Sequence, residues 1–205
     1  MNEDERTVEG NEDGGQSHDT PEGSMSVTLD AQGWNEWARE RSKGKWCDVV
    51  EQNGWVYGYW VCGRPFGKVT ELYGEYPHSF LDRALHLFKD CEDDRILHAP
   101  SGKLKGPGMT IDRVEYGPGV PQVVGDVADM PFGDESFDLV LSDPPYSRDD
   151  ELEYDPNSRP FPLKAAMREF YRVLTPGGYL GFLHTFTGPP RSNKLWVTRA
   201  VIAVA

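Results

Sequence analysis

Between residues 96 and 146 the chain repeats one arrangement, and that repetition narrows the choice of fold more than any other feature. A short apolar run ends at a polar residue or a turn built from Gly, Pro or Asp. Ile96–His98 leads into Ala-Pro-Ser-Gly, and Met109–Val114, which carries Asp112, leads into Tyr-Gly-Pro-Gly. Val123–Val124 ends at Gly125 and Asp126, and Phe137–Ser142 ends at Asp143-Pro144-Pro145-Tyr146. Short continuous apolar runs belong to strands covered on both faces, as parallel strands are. A helix is expected over about Leu163–Leu174, with Pro162 at its first turn. Leu163, Met167, Phe170, Tyr171 and Leu174 would form its apolar face, and Thr175-Pro176-Gly177-Gly178 would stop it. Tyr179–His184 and Val197–Val204 read as further strands. The alternation predicts an α/β fold with a mostly parallel, two-sided sheet. Ligands of such sheets sit at the carboxyl ends of the strands, where the strand order reverses. A lone Asp at one strand end is an ordinary turn cap. Four polar strand ends in order make a candidate site.

The N-terminal third reads differently. Residues 1–30 hold nine acids against the single base Arg6, so most of the net charge of -13 lies there. Residues 1–25 read as a disordered acidic tail, with few large apolar side chains. Residues 26–78 form an aromatic-rich extension that contains Trp34, Trp37, Trp46, Trp55 and Trp60. Those tryptophans read either as core or as a base-stacking surface. Within it, WVYGYWVCG reads as a strand or hairpin. Residues 79–90 look helical, with Ser79 as N-cap and Phe80, Ala84, Leu85 and Phe88 on one face. Residues 79–205 would form the main domain. No apolar run is long enough for a membrane span, and the N-terminus lacks a signal-peptide pattern. Three widely spaced cysteines argue against a disulfide scaffold, so a reducing, cytoplasmic setting is the default. The five histidines are scattered, and no metal-ligand cluster is readable. Acidity argues against non-specific nucleic-acid binding. Since most of the charge lies in the tail, that argument is weak for residues 31–205.

Two segments, GDVADMPFGDESFDLVLSDPPYS at residues 125–147 and FYRVLTPGGYLGFLHT at 170–185, resemble a known family. They are similar to the S-adenosylmethionine-dependent methyltransferases of the Rossmann-like class, and in particular to the DPPY-type enzymes that methylate exocyclic amines of nucleic-acid bases. The resemblance covers roughly residues 75–205. It implies that Asp143 accepts a hydrogen bond from the target amine, that the Pro144 carbonyl accepts a second, that Pro145 stiffens the turn, and that Tyr146 stacks on the extruded base. It implies S-adenosyl-L-methionine as cofactor and no metal. The loop with His98, Ser101 and Gly102 would hold the methionine end, Asp112 the ribose hydroxyls, and Asp126 with the Val127 N–H the adenine. Asp at the first motif position leans towards adenine N6, in DNA ahead of RNA, and DPPY enzymes this short fit a prokaryotic or viral modification system. The loose match Tyr73–Phe80 would be a further cofactor-side element. An RNA, protein or small-molecule acceptor, or a non-catalytic binding role, also fits the fold.

The chain departs from the family at three places. His98 stands where an acid is expected, and Gly106 and Gly108 come late in the loop. The chain ends one strand short of the family's sheet, so an edge strand at Val197–Val204 is expected to be covered by the extension or by a second copy. The segment Ser147–Pro162, acidic and short, reads as a solvated loop or a lid rather than a recognition region. Arg39, Arg41, Lys43, Lys45, Lys103, Lys105, Arg191, Lys194 and Arg199 would supply any phosphate-contacting rim.

Overall fold

The structure, a computed structural model, describes residues 27–62, 76–154, 157, 159–185 and 196–204. The acidic tail, residues 73–75 of the loose motif, and Arg191 and Lys194 lie outside the described residues. The elements run in order β1 (Thr28–Leu29), α1 (Ala31–Ser42), β2 (Val50–Gln52), β3 (Trp55–Trp60), α2 (Phe80–Leu87), β4 (Phe88–Lys89), β5 (Ile96–His98), β6 (Met109–Asp112), β7 (Val123–Val124), β8 (Phe137–Ser142), α3 (Arg148–Tyr154), α4 (Leu163–Val173), β9 (Leu174–Phe182) and β10 (Ala200–Val204).

The strands expected between 96 and 146 form one sheet. Its order is β7-β6-β5-β8-β9, and every pairing is parallel. The chain runs outward from β5 to β7 and then returns to the other side of β5 at β8. The order therefore reverses between β5 and β8, and their carboxyl ends flank a crevice. Alternate residues face opposite sides. Leu97, Ile111 and Val140 pack against Ala166, Phe170 and Val173 of α4. Ile96, Leu139 and Leu141 pack against the other core, which contains Trp34 and Ala38 of α1 and Phe80, Ala84 and Leu87 of α2. The architecture is thus mixed α/β with a five-stranded parallel sheet covered on both faces.

Most connections differ from the expectation of alternating strands and helices. Residues 99–108, 113–122 and 125–136 cross between parallel strands without an α-helix, and only the β8–β9 connection carries helices. Gly and Pro recur in those three loops, so helix formation there is costly. Right-handed crossovers from β5 to β7 would place helices on the face opposite α4. That face is instead covered by the aromatic extension together with α2. Trp34, fully buried, stacks on Trp60 with ring centroids 5.5 Å apart and donates from Nε1 to the Arg83 carbonyl at 2.9 Å. Trp34 and Trp60 are therefore core residues, while Tyr57 and Tyr59 are exposed.

The extension's strands form a second sheet, β10-β3-β2. Asn53 and Gly54, both at positive φ, make the turn between antiparallel β2 and β3. An Asn-Gly pair favours that hairpin turn because both residues tolerate the left-handed conformation. β10 pairs in parallel with β3 from Ala200↔Val56 to Val204↔Trp60. Of the two ways to cover the last strand, the fold uses the extension, and β10 lies outside the five-stranded sheet.

Local details also differ. Ser79 sits at the start of α2 with φ 63 and makes no side-chain capping bond. In α4 the buried face is Ala166, Phe170 and Val173, and Tyr171 is exposed. Thr175–Gly178 does stop the helix, but it continues as the first part of β9. The motif spacing from Met130 to Arg172 has a structural reason. The Arg172 guanidinium donates to the carbonyls of Met130 and Phe132 and to the carboxylates of Asp134 and Glu169, at 2.7–3.1 Å. Glu169 in turn accepts from the Met130 N–H at 2.8 Å. One side chain thereby ties the loop before β8 to α4. Among the described residues no helix is long and apolar enough to cross a membrane.

Candidate active site

The carboxyl ends of β5, β6, β7 and β8 open into a solvent-connected cleft. Ser101, Gly102, Asp112, Asp126, Val127, Asp143 and Pro145 all line it. Residues separated by more than forty positions in sequence thus share one site. His98, Pro144 and Tyr146 are not among its lining residues.

His98 lies beneath the loop, fully buried. Its Nε2 is 2.9 Å from the Pro107 carbonyl, which can only accept, so this nitrogen carries the proton. Its unprotonated Nδ1 lies 3.1 Å from the Tyr76 hydroxyl, whose single proton also faces the Leu141 carbonyl at 3.1 Å. Burial pushes the imidazole down to about 4, so it is neutral near pH 7. The ring joins the start of the 99–108 loop to its end. Gly108 is required there: at φ 99, a Cβ would stand 2.9 Å from the Ile96 carbonyl and 3.1 Å from the imidazole.

Within the loop, the Ser101 N–H donates to the Ile111 carbonyl at 3.0 Å, and its buried Oγ has no hydrogen-bond partner among the described residues. Gly102, at φ 54, aims its N–H at Asp112 Oδ2 at 2.9 Å. Asp112 Oδ1 accepts the Val114 N–H at 3.1 Å. This one carboxylate joins the loops after β5 and β6. Burial raises its pKa, and the backbone N–H bonds oppose that rise. Asp126 accepts the Ala128 N–H at 2.9 Å and meets the exposed Arg159 guanidinium at 3.3 Å.

Asp143 follows the last residue of β8. Burial pushes its carboxyl up to about 6, and the hydrogen bond from the Tyr146 hydroxyl opposes the rise. Pro144 is buried and Pro145 half-buried, which fixes the turn between Asp143 and Tyr146. The Tyr146 ring, itself exposed, meets His184 edge-on at 6.1 Å, and His184 stacks on Phe182. His184 comes near because Ser142 and Phe182 are in register at the ends of β8 and β9.

Other lining residues were not singled out one by one as site residues in the sequence, although Tyr76 lies in the loose Tyr73–Phe80 match and Glu151, Phe161 and Pro162 lie in the 147–162 segment. The Tyr76 hydroxyl reaches His98 and the Leu141 carbonyl, and burial together with Asp143 raises its pKa. Arg113 and Tyr116 come from the turn after β6. The segment 147–162 folds partly into α3, from which buried Glu151 accepts from the Phe161 N–H at 2.5 Å and from Arg148 at 2.8 Å. Glu151, Phe161 and Pro162 thereby form one wall of the cleft.

The cleft offers a ligand mostly hydrogen-bond acceptors. Asp112 keeps lone pairs for a diol, Asp126 offers a carboxylate to an amine, and the unpartnered Ser101 hydroxyl lies in the loop beside them. Asp143 offers a second, separate acceptor. Among the described residues no group of three or more His, Cys, Asp or Glu side chains is placed to hold a metal ion. No family model matches the chain, and neither a curated protein nor a solved structure matches it.

Proposed function

We propose that the chain is an S-adenosyl-L-methionine-dependent methyltransferase acting on an exocyclic base amine, adenine N6 in DNA being the preferred acceptor. One observation carries this reading. Asp143 of the Asp-Pro-Pro-Tyr turn shares a single cleft with Ser101, Gly102, Asp112 and Asp126, at the carboxyl ends of parallel strands where the strand order reverses.

When bound, the cofactor supplies a methyl group on a cationic sulfur. The chain's part is binding and positioning. Asp112 accepts from the ribose hydroxyls, Asp126 from the adenine amine, and the Ser101–Gly102 backbone admits the methionine end. Asp143 accepts one hydrogen of the target amine and the Pro144 carbonyl the other. The nitrogen lone pair, otherwise delocalised into the base, is then directed at the methyl carbon. Proline geometry keeps the carbonyl in place, and Tyr146 offers a ring face to the base. His98 is assigned to loop support, because its ring is fully occupied beneath the loop.

The proposed partner is nucleic acid, DNA ahead of RNA, in a reducing cytoplasm. Incubation with methyl-labelled cofactor and DNA, RNA or protein pools tests this, followed by base analysis. Label on adenine in DNA supports the reading. Label only on RNA or protein replaces the substrate class, and no label in any pool, with no cofactor binding by calorimetry, overturns the enzymatic assignment.

A further inference from the structure

We infer that the cleft recognises its cofactor by charge, taking the cationic sulfonium form in preference to the neutral thioether product and excluding phosphorylated nucleosides. The inference rests on the proposed function and concerns the same site. Four carboxylates line the cleft, from Asp112, Asp126, Asp143 and Glu151, against the single guanidinium of Arg113. Two of the four are already paired, Asp126 with Arg159 at 3.3 Å and Glu151 with Arg148 at 2.8 Å. Asp112 and Asp143 make no ion pair among the described residues. Backbone N–H groups bond Asp112 and the Tyr146 hydroxyl bonds Asp143, and both carboxyls are shifted upward by burial.

The two unpaired carboxylates are those assigned to the ribose and to the target amine. In the cofactor the sulfur is bonded to the ribose 5′ carbon, and its methyl must face the amine. Under those assignments, covalent connectivity would place the positive charge between the groups held by Asp112 and Asp143. A buried carboxylate such as Asp112, and a half-buried one such as Asp143, without a counter-ion favour a ligand that supplies one. The unpartnered Ser101 hydroxyl in the adjoining loop is a second, independent sign that a polar ligand completes this site. Methyl transfer moves the positive charge from sulfur to the base nitrogen, from which it leaves as a proton. The thioether left behind is neutral overall. Transfer would thus remove the charge that held the cofactor, which favours product release. A phosphate would meet the same carboxylates and be repelled.

Calorimetry with the full chain tests this using S-adenosylmethionine, S-adenosylhomocysteine and ATP. At low salt the sulfonium form should bind roughly tenfold tighter than the thioether. That gap should narrow at 1 M salt, and ATP should show no binding. Asp143→Asn keeps the side chain's shape and should weaken sulfonium binding severalfold while leaving thioether binding unchanged. A loss of both affinities together would mean a merely structural effect and would overturn the inference. Equal affinity for the two forms in the parent chain, or ATP binding as tight as either, would also overturn it, while leaving the assignment of the cleft to a nucleoside ligand intact. If none of the three binds, the proposed function falls and this inference with it.

Discussion

Replacing Asp143 by Asn should make the protein more stable at pH 8 while removing the proposed methyl transfer. Burial raises the Asp143 carboxyl from 3.8 to about 6 in the folded chain. A carboxyl whose pKa is raised by folding favours the folded state in its protonated form. Above about pH 6 the native state must carry a buried charge that the unfolded chain carries in water, and stability is lost as pH rises through this window. Each pKa unit is worth about 1.4 kcal/mol, so the cost saturates near 3 kcal/mol at pH 8 and is below about 1 kcal/mol at pH 4. Asn removes the charge but weakens the bond from Tyr146, worth about 1 kcal/mol, leaving a net gain near 2 kcal/mol at pH 8. For a chain of this size that raises Tm by about 4–8 °C. Thermal melts of parent and variant at pH 8 and pH 4 measure it. The gain should be present at pH 8 and vanish or reverse at pH 4. A variant less stable by the same amount at both pH values would refute the reasoning, since it would mean that Asp143 is not held charged against its surroundings.

Other consequences follow from the same geometry. Asp143→Ala should reduce methyl transfer by at least a hundredfold while cofactor affinity falls by no more than about tenfold, because the residue is assigned to the amine; comparable loss of both would remove that role. Trp34→Ala should destabilise the fold by about 3–5 kcal/mol, as expected of a fully buried ring between both N-terminal helices and the sheet, read from urea unfolding. Arg172→Ala should cost about 2–4 kcal/mol by freeing two carbonyls and two carboxylates, and denaturant unfolding measures it. Gly108→Ala should open the 99–108 loop and abolish ligand binding in calorimetry, since the added methyl meets both the Ile96 carbonyl and the His98 ring.

The parallel sheet was legible because strands covered on both faces leave continuous apolar runs, as at Ile96–His98 and Phe137–Ser142. The strand-end acids were legible for the same reason: each stands where an apolar run stops. The covering of the sheet was not. Core was the first reading of Trp34 and Trp60, but a stacking surface stayed open in the sequence, and only the packing of α1 and β3 with Ile96, Leu139 and Leu141 closes it. β10 carries the same Val-Ile-Ala-Val pattern that an edge of the larger sheet would, and only its register with Val56–Trp60 assigns it to the smaller one. His98 marked a strand end but acts through a carbonyl nine residues away, and Tyr76 reaches the cleft through a contact that no local pattern encodes. Glu151 looked like one acid among several in a solvated stretch. Its burial follows from the bond it makes to the Phe161 N–H as the chain turns back towards α4.

The central claim is that Asp143 and the cofactor-side carboxylates serve one methyl transfer. Its most direct measurement is the transfer of label from methyl-labelled S-adenosylmethionine to DNA, with the product digested and its bases separated. The account requires label in N6-methyladenine with the parent chain and none with Asp143→Ala. Label that persists in the variant, or cofactor binding without transfer to any nucleic acid, would contradict it.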